Sequence, residues 1–235
     1  MEKIVAALWA PSGEDRASFG ARLAEDLPAA LTAAGASSIR INIRDAEVEP
    51  AASLVQTWQA PQQDAVVQFW LPSSNALFRG ETDKVLAAHS GVFHAWLVTE
   101  STIIANQAHP AVPDTRCEGW SQASFISFRK DMSRHEAIAH WHTHHTKVAI
   151  ETQANFEYVQ NLIVHALTPD APAYDAFVEE CFERAAMTDP AAFFNAVGDP
   201  DLLAANTARM LESCNAFIDF ARIDIIPTSQ HNPAG

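Results

Sequence analysis

Phosphate-cradling glycine loops, a G-x-S-x-G elbow and C-x-x-C pairs are all missing from this 235-residue chain. Nucleotide chemistry, serine hydrolysis, zinc knuckles and dithiol redox chemistry therefore have no textual support. Cysteine is scarce: Cys117, Cys181 and Cys214 are odd in number and far apart, and read as incidental or buried thiols. Positive charge is scarce as well. Fifteen Lys and Arg against 29 Asp and Glu leave a formal charge of −14, which repels phosphate backbones and anionic lipid, so neither nucleic acid nor a membrane is an expected partner.

No apolar run approaches the roughly 18 residues that a membrane-spanning helix needs. The apolar opening breaks at Pro11 without a small-residue cleavage pattern, and a cytoplasmic protein is expected. With 48% hydrophobic residues the chain can build a core, and its 13 prolines and eight glycines are too dispersed for a disordered linker. Only the tail after Ser229 reads as loose.

What is there is an ordered alternation of strand and helix signals. Lys3 to Trp9 is a short apolar run before Pro-Ser-Gly, and reads as a buried strand. Phe19, Leu23, Leu27 and Leu31 recur every fourth residue of a helix from about Asp15 to Ala34, which Pro28 is expected to kink or split. Strands at Ile39-Ile41-Ile43, Val66 to Leu71 and Val92 to Val98, and a helix at Asp83 to His89, complete a β-α-β-β-α-β half. Asp45, Glu47 and Glu49 read as a solvated loop.

The same order restarts after Pro110 to Asp114. It has strands at Ala123 to Phe128, Asn155 to Leu167, Tyr174 to Phe182 and Phe217 to Ile226, and helices at Ser133 to about Glu151 and Leu202 to Cys214, with a short extra helical turn within 188–198. A β-α-β-β-α-β unit leaves one sheet face bare, and two units can cover each other. The expected fold class is α+β: two ferredoxin-like halves, 1–109 and 120–229, closing a pseudo-symmetric barrel with helices outside.

Five of the ten histidines, His135, His140, His142, His144 and His145, fall in the helix from Ser133. Ser133 with Glu136 three residues on is a capping box. Ile138, Trp141, His145 and Val148 share the stripe that faces the sheet, so His145 is the inward imidazole and His144 sits at the boundary. A histidine among apolar neighbours is disfavoured when charged, which poises it as a base. A core histidine bonded to a backbone carbonyl is the plainer reading. For metal, only His140/His144 or His142/His145 could share an ion, and no second ligand set is evident. His135-Glu136 is followed by His140 one residue beyond H-E-x-x-H spacing.

Trp141-His142-Thr143-His144-His145-Thr146-Lys147-Val148 is similar to the W-x-x-x-H-x-P-L/V pattern of the EthD-domain family, a branch of the dimeric α+β barrel superfamily, with Lys147 in the proline position. Phe156 to Asn161, Tyr174-Asp175, Cys181-Phe182 and Phe217-Ile218-Asp219 extend the resemblance over roughly the last hundred residues. The first half shares it only through its element order and the opening Leu8-Trp9-Ala10-Pro11.

The resemblance implies a pocket for an apolar aromatic or polyketide-like small molecule and a cofactor-independent lyase, isomerase or monooxygenase. His145 would be the acid/base and Tyr158 would polarise an oxygen, while Trp141, His144, Gln160, Asn161 and Asp175 would bind substrate. No cofactor is expected. Two alternatives stand beside it: a non-catalytic binding or accessory protein of a degradation pathway, and a haem- or metal-binding barrel like others that hold haem on a histidine. A homodimer is compatible with the sequence.

Overall fold

The fold is that of a computed structural model and is described for residues 1–232. The first half comprises β1 (Glu2–Trp9), α1 (Arg16–Ala33), β2 (Ser37–Ile43), β3 (Ala65–Leu71), α2 (Ala76–His89) and β4 (Val92–Ile104). A short β5 (Thr115–Arg116) precedes β6 (Trp120–Phe128). A segmented helix follows: α3 (Arg134–His140), a π-turn (Trp141–His145) and α4 (Thr146–Thr152). Then come β7 (Glu157–Ala166), β8 (Ala176–Phe182), α5 (Pro190–Phe193), α6 (Pro200–Asn215) and β9 (Ile218–Asn232).

The strands pair antiparallel in the order β2-β3-β1-β4-β7-β8-β6-β9, and β9 pairs back onto β2, which closes an eight-stranded barrel; β5 adds to β9. Closure follows from the alternation of side chains along each strand. In β1, Ile4, Ala6 and Leu8 pack outward under the helices, while Val5 and Ala7 pack into the barrel. Helix α1 starts at Asp15, whose carboxylate accepts the Ala17 and Ser18 amides, and runs through Pro28 as one element. Its stripe Phe19, Leu23, Leu27 and Leu31 is fully buried, about 1.5–3 kcal/mol per side chain as an upper estimate. That burial on both sides of Pro28 keeps the helix whole.

One end of the barrel is aromatic, with Trp96, Phe125, Tyr174 and Phe177 packed together. The other end is polar. Arg40 bridges Glu179 at 2.9 Å and Glu157 at 3.0 Å, and Glu179 also accepts from Asn42, Gln68 and Gln230. Lys3 joins Gln68 to Glu100. This network ties β1 to β3 of the first half to β7 to β9 of the second.

It also corrects the reading of the tail. Strand β9 continues to Asn232, and Thr228, Ser229 and Gln230 are buried because their polar groups belong to that network and its margin. Residues 45–54 are likewise no loose loop: Asp45 caps a 3-10 helix over Ala46–Leu54, and Glu47 pairs with Arg184. Helix α2 starts seven residues earlier than the sequence pattern marked, and β4 extends to Ile104 so as to reach β7. Among the described residues no helix is long and apolar enough to cross a membrane.

Candidate functional site

A cavity of about 410 Å³ lies between the outer face of β6 to β9 and the cover formed by the π-turn, α5 and α6. Its wall is mainly apolar, with Trp141, Met210, Phe217 and Ile223 prominent, and Leu211 and Phe220 stand half-exposed at its edge. An apolar hollow with a few directed polar groups is the usual form of a small-molecule site.

The cover begins at Ser133, whose side chain and Glu136 complete the expected capping box. Regular α-helix stops at His140, and the amide of Thr146 bonds to the Trp141 carbonyl five residues back. Such π-turns recur at functional sites. The Thr146 hydroxyl donates to the same carbonyl at 2.9 Å. Trp141 and His145, four residues apart, both turn inward and are buried.

His145 Nδ1 lies 2.9 Å from the Ser213 hydroxyl on α6. Its Nε2 has no hydrogen-bond partner among the described residues, and the ring lines the cavity. Burial, reinforced by His140 and His144, lowers its pKa to about 4. At neutral pH the ring is uncharged and Nε2 can accept a proton.

The donors around Tyr158 form a chain with one free end. Because the Thr146 hydroxyl donates to Trp141, its oxygen must accept from Gln160 Nε2, at 2.8 Å, which fixes the orientation of the amide. The second Gln160 N–H then donates to the Tyr158 hydroxyl at 2.8 Å, and Trp141 Nε1 donates to the same oxygen at 3.2 Å. With both lone pairs taken, the Tyr158 O–H can only donate. Among the described residues no acceptor receives it, and Tyr158 lines the cavity. Burial raises its pKa well above the ordinary phenol range, so it remains an O–H.

Glu180, on β8, was missed in the sequence. It is buried in the cavity wall, accepts from Asn155 at 3.0 Å and Gln122 at 3.3 Å, and is pushed up to about 7, chiefly by burial. A signal was present: Glu179-Glu180 sits in a strand otherwise apolar enough to be buried on both faces, so one carboxyl must face the barrel and the other the helices.

Of the seven candidate residues, Trp141, His145 and Tyr158 meet at the cavity. Gln160 stands behind Tyr158 and holds it. The other three are off the cavity, which corrects the single-pocket expectation. Asn161 points the opposite way by strand alternation, into the barrel, where neither of its amide atoms has a partner. His144 is exposed, its ring 5.0 Å from that of His140. Asp175 caps the end of β6 by accepting the Phe128 amide and pairs with Arg134.

Among the described residues no three His, Cys, Asp or Glu side chains are placed to hold a metal ion. Haem fits poorly. His145 Nε2 could face an iron, but no Lys or Arg lines the cavity to meet two propionates, and a buried carboxyl does line it.

The EthD domain family model matches residues 129–221, which span the π-turn, β7, β8 and α6. No curated protein sequence matches the chain. The structure is similar to that of an anthrone oxidase-like protein, with a TM-score of 0.55 and 8% identity over 100% of this chain and 94% of that one. It is also similar to a chlorite dismutase-like protein, with a TM-score of 0.51 and 9% identity over 99% and 96%. The chain is thus an antiparallel α+β barrel similar in fold to the dimeric α+β barrels, and residues 129–221 match the EthD domain model.

Proposed function

We propose that the cavity binds an uncharged apolar molecule, aromatic or polyketide-like, and acts on it without a cofactor as an isomerase, lyase or oxygenase. The observation that carries this reading is the Tyr158 O–H, forced by Trp141 and Gln160 to donate into a hollow that His145 also lines. His145 Nε2 takes a proton from the ligand, and Tyr158 polarises the oxygen on which charge develops. The EthD match and the barrel neighbours support a small-molecule protein of this kind. The halves 1–109 and 120–229 are read as ferredoxin-like repeats of one ancestral pattern, since each has the sheet order second-third-first-fourth.

Calorimetric titration with 2-naphthol tests the reading. One saturable site is expected for the wild type, and binding weaker by about tenfold in a folded His145→Ala variant, the loss of one directed contact. Equal affinity would refute the assignment. Binding with no conversion of any offered ligand would make the protein a carrier.

A further inference from the structure

Three side chains stand in a row on the cavity floor: Gln122 on β6 is paired with Glu180 on β8, and Glu180 with Tyr158 on β7. Directly opposed side chains on one sheet face begin about 5 Å apart, so the Glu180 carboxyl is the neighbour of the Tyr158 hydroxyl. Glu180 receives neutral amide donors, from Asn155, Gln122 and Gln153, and no cation among the described residues. Beside it the buried side-chain amide oxygens of Gln153 and Asn155 have no donor among the described residues. A carboxyl in an apolar hollow, without a countercation and next to acceptors that lack a proton, is best satisfied as the neutral acid.

Resting on the reading of the cavity given above, we propose that Glu180 is a second catalytic residue, the proton donor that works with the base His145 on an uncharged, enolisable ketone that bears an aromatic ring. His145 Nε2 removes a proton from the carbon beside the carbonyl. The electron pair of that C–H bond becomes the C=C bond, the carbonyl π pair moves to oxygen, and Glu180 gives its carboxyl proton to that oxygen while Tyr158 hydrogen-bonds to it. The product is the enol. The imidazolium loses its proton to water and the carboxylate regains one, so nothing is oxidised or consumed. An anionic ligand would find no cation on the wall.

The competent form has His145 neutral and Glu180 protonated, which holds between about pH 4 and about pH 7. The titratable groups facing Glu180 are Tyr158 from β7 and Cys214 from α6, whose thiol burial pushes up to about 12. Those facing His145 are His140 and His144 on its own helix. None of the groups facing Glu180 changes charge in that window.

The test is exchange of the α-protons of 2-tetralone in heavy water, followed by proton NMR. The wild type is expected to exceed the buffer control with a bell-shaped profile, and Glu180→Gln to lose about a hundredfold and the alkaline limb with it. A Glu180→Gln variant with wild-type rate and profile overturns the role of Glu180 but leaves the cavity reading intact while 2-naphthol still needs His145. Wild-type protein that binds 2-naphthol without exchanging 2-tetralone also overturns the proposal, and failure of both sinks both. Should Glu180→Gln not fold, the wild-type profile decides: a rate that does not fall above about pH 7 is contrary to a protonated Glu180.

Discussion

The indole N–H of Trp141 donates to the Tyr158 hydroxyl oxygen across 3.2 Å, and so ties the π-turn to β7 at the wall of the cavity. Gln160 donates to the same oxygen from the other side. The consequence is a hydroxyl whose position and donor direction are both set before any ligand arrives, which is the form preorganisation takes in a site of this size.

Tyr158→Phe removes the acceptor of two buried donors as well as the O–H itself. A stability loss of about 1–3 kcal/mol is expected, because Trp141 Nε1 and one Gln160 N–H are left unpaired. Urea unfolding measures it, and the denaturant slope should not change. Affinity for 2-naphthol should fall by about tenfold in the same variant. Unchanged stability would mean that the two donors find other partners.

His145 and Glu180 make opposite contributions to the pH dependence of folding. Native His145 takes its proton at about 4 and the unfolded residue at 6.5, so acidification between them favours the unfolded chain. Native Glu180 takes its proton at about 7 and the unfolded residue at 4.5, so acidification between those values favours the fold. From pH 6.5 to 4.5 the two nearly cancel. Glu180→Gln should therefore lose about 2–3 kcal/mol over that interval, and His145→Ala should gain a similar amount. Denaturant midpoints measured across the interval check this, and parallel pH slopes for the two variants would contradict it.

At the polar end of the barrel, Arg40 is the cation shared by Glu157 and Glu179. Arg40→Met leaves two buried carboxylates without it, and the expected cost is about 3–5 kcal/mol. Arg40 holds Glu179 well below the ordinary 4.5, so the stability that Glu179 contributes is complete above pH 4.5 and declines as pH falls below it. In Arg40→Met burial raises the native Glu179 toward or past the unfolded value, so that decline should shrink or reverse. A matching acid limb in the two proteins would remove Arg40 as its cause.

Ser133→Ala deletes half of the capping box that starts the cover helix. A loss of about 1 kcal/mol is expected from the cap alone, with 2-naphthol affinity nearly unchanged.

The elements that rest on local periodicity were readable in advance. The stripe Trp141, His145, Val148 and the Ser133 cap follow from three- and four-residue spacing, and the outer and inner sets of β1 follow from alternation. The π-turn was not readable, because one added residue in a turn leaves the hydrophobic spacing of the helix intact and is fixed by the Thr146 to Trp141 bonds. The burial of Thr228, Ser229 and Gln230 was hidden for a different reason. Polar residues read as solvated unless the partner network is known, and here the partners come from strands as distant as β2 and β8. Glu180 escaped notice because a strand buried on both faces does not reveal which face is solid and which is hollow. Asn161 and Gln160 separate for the simplest cause, since adjacent strand residues cannot serve one pocket.

A crystal structure of the protein soaked with 2-naphthol tests the central claim most directly. The account predicts the naphthol oxygen within hydrogen-bond reach of the Tyr158 hydroxyl, with the rings against Phe217 and beside His145 Nε2. A cavity filled by rearranged side chains, or the naphthol bound elsewhere on the barrel, would contradict it.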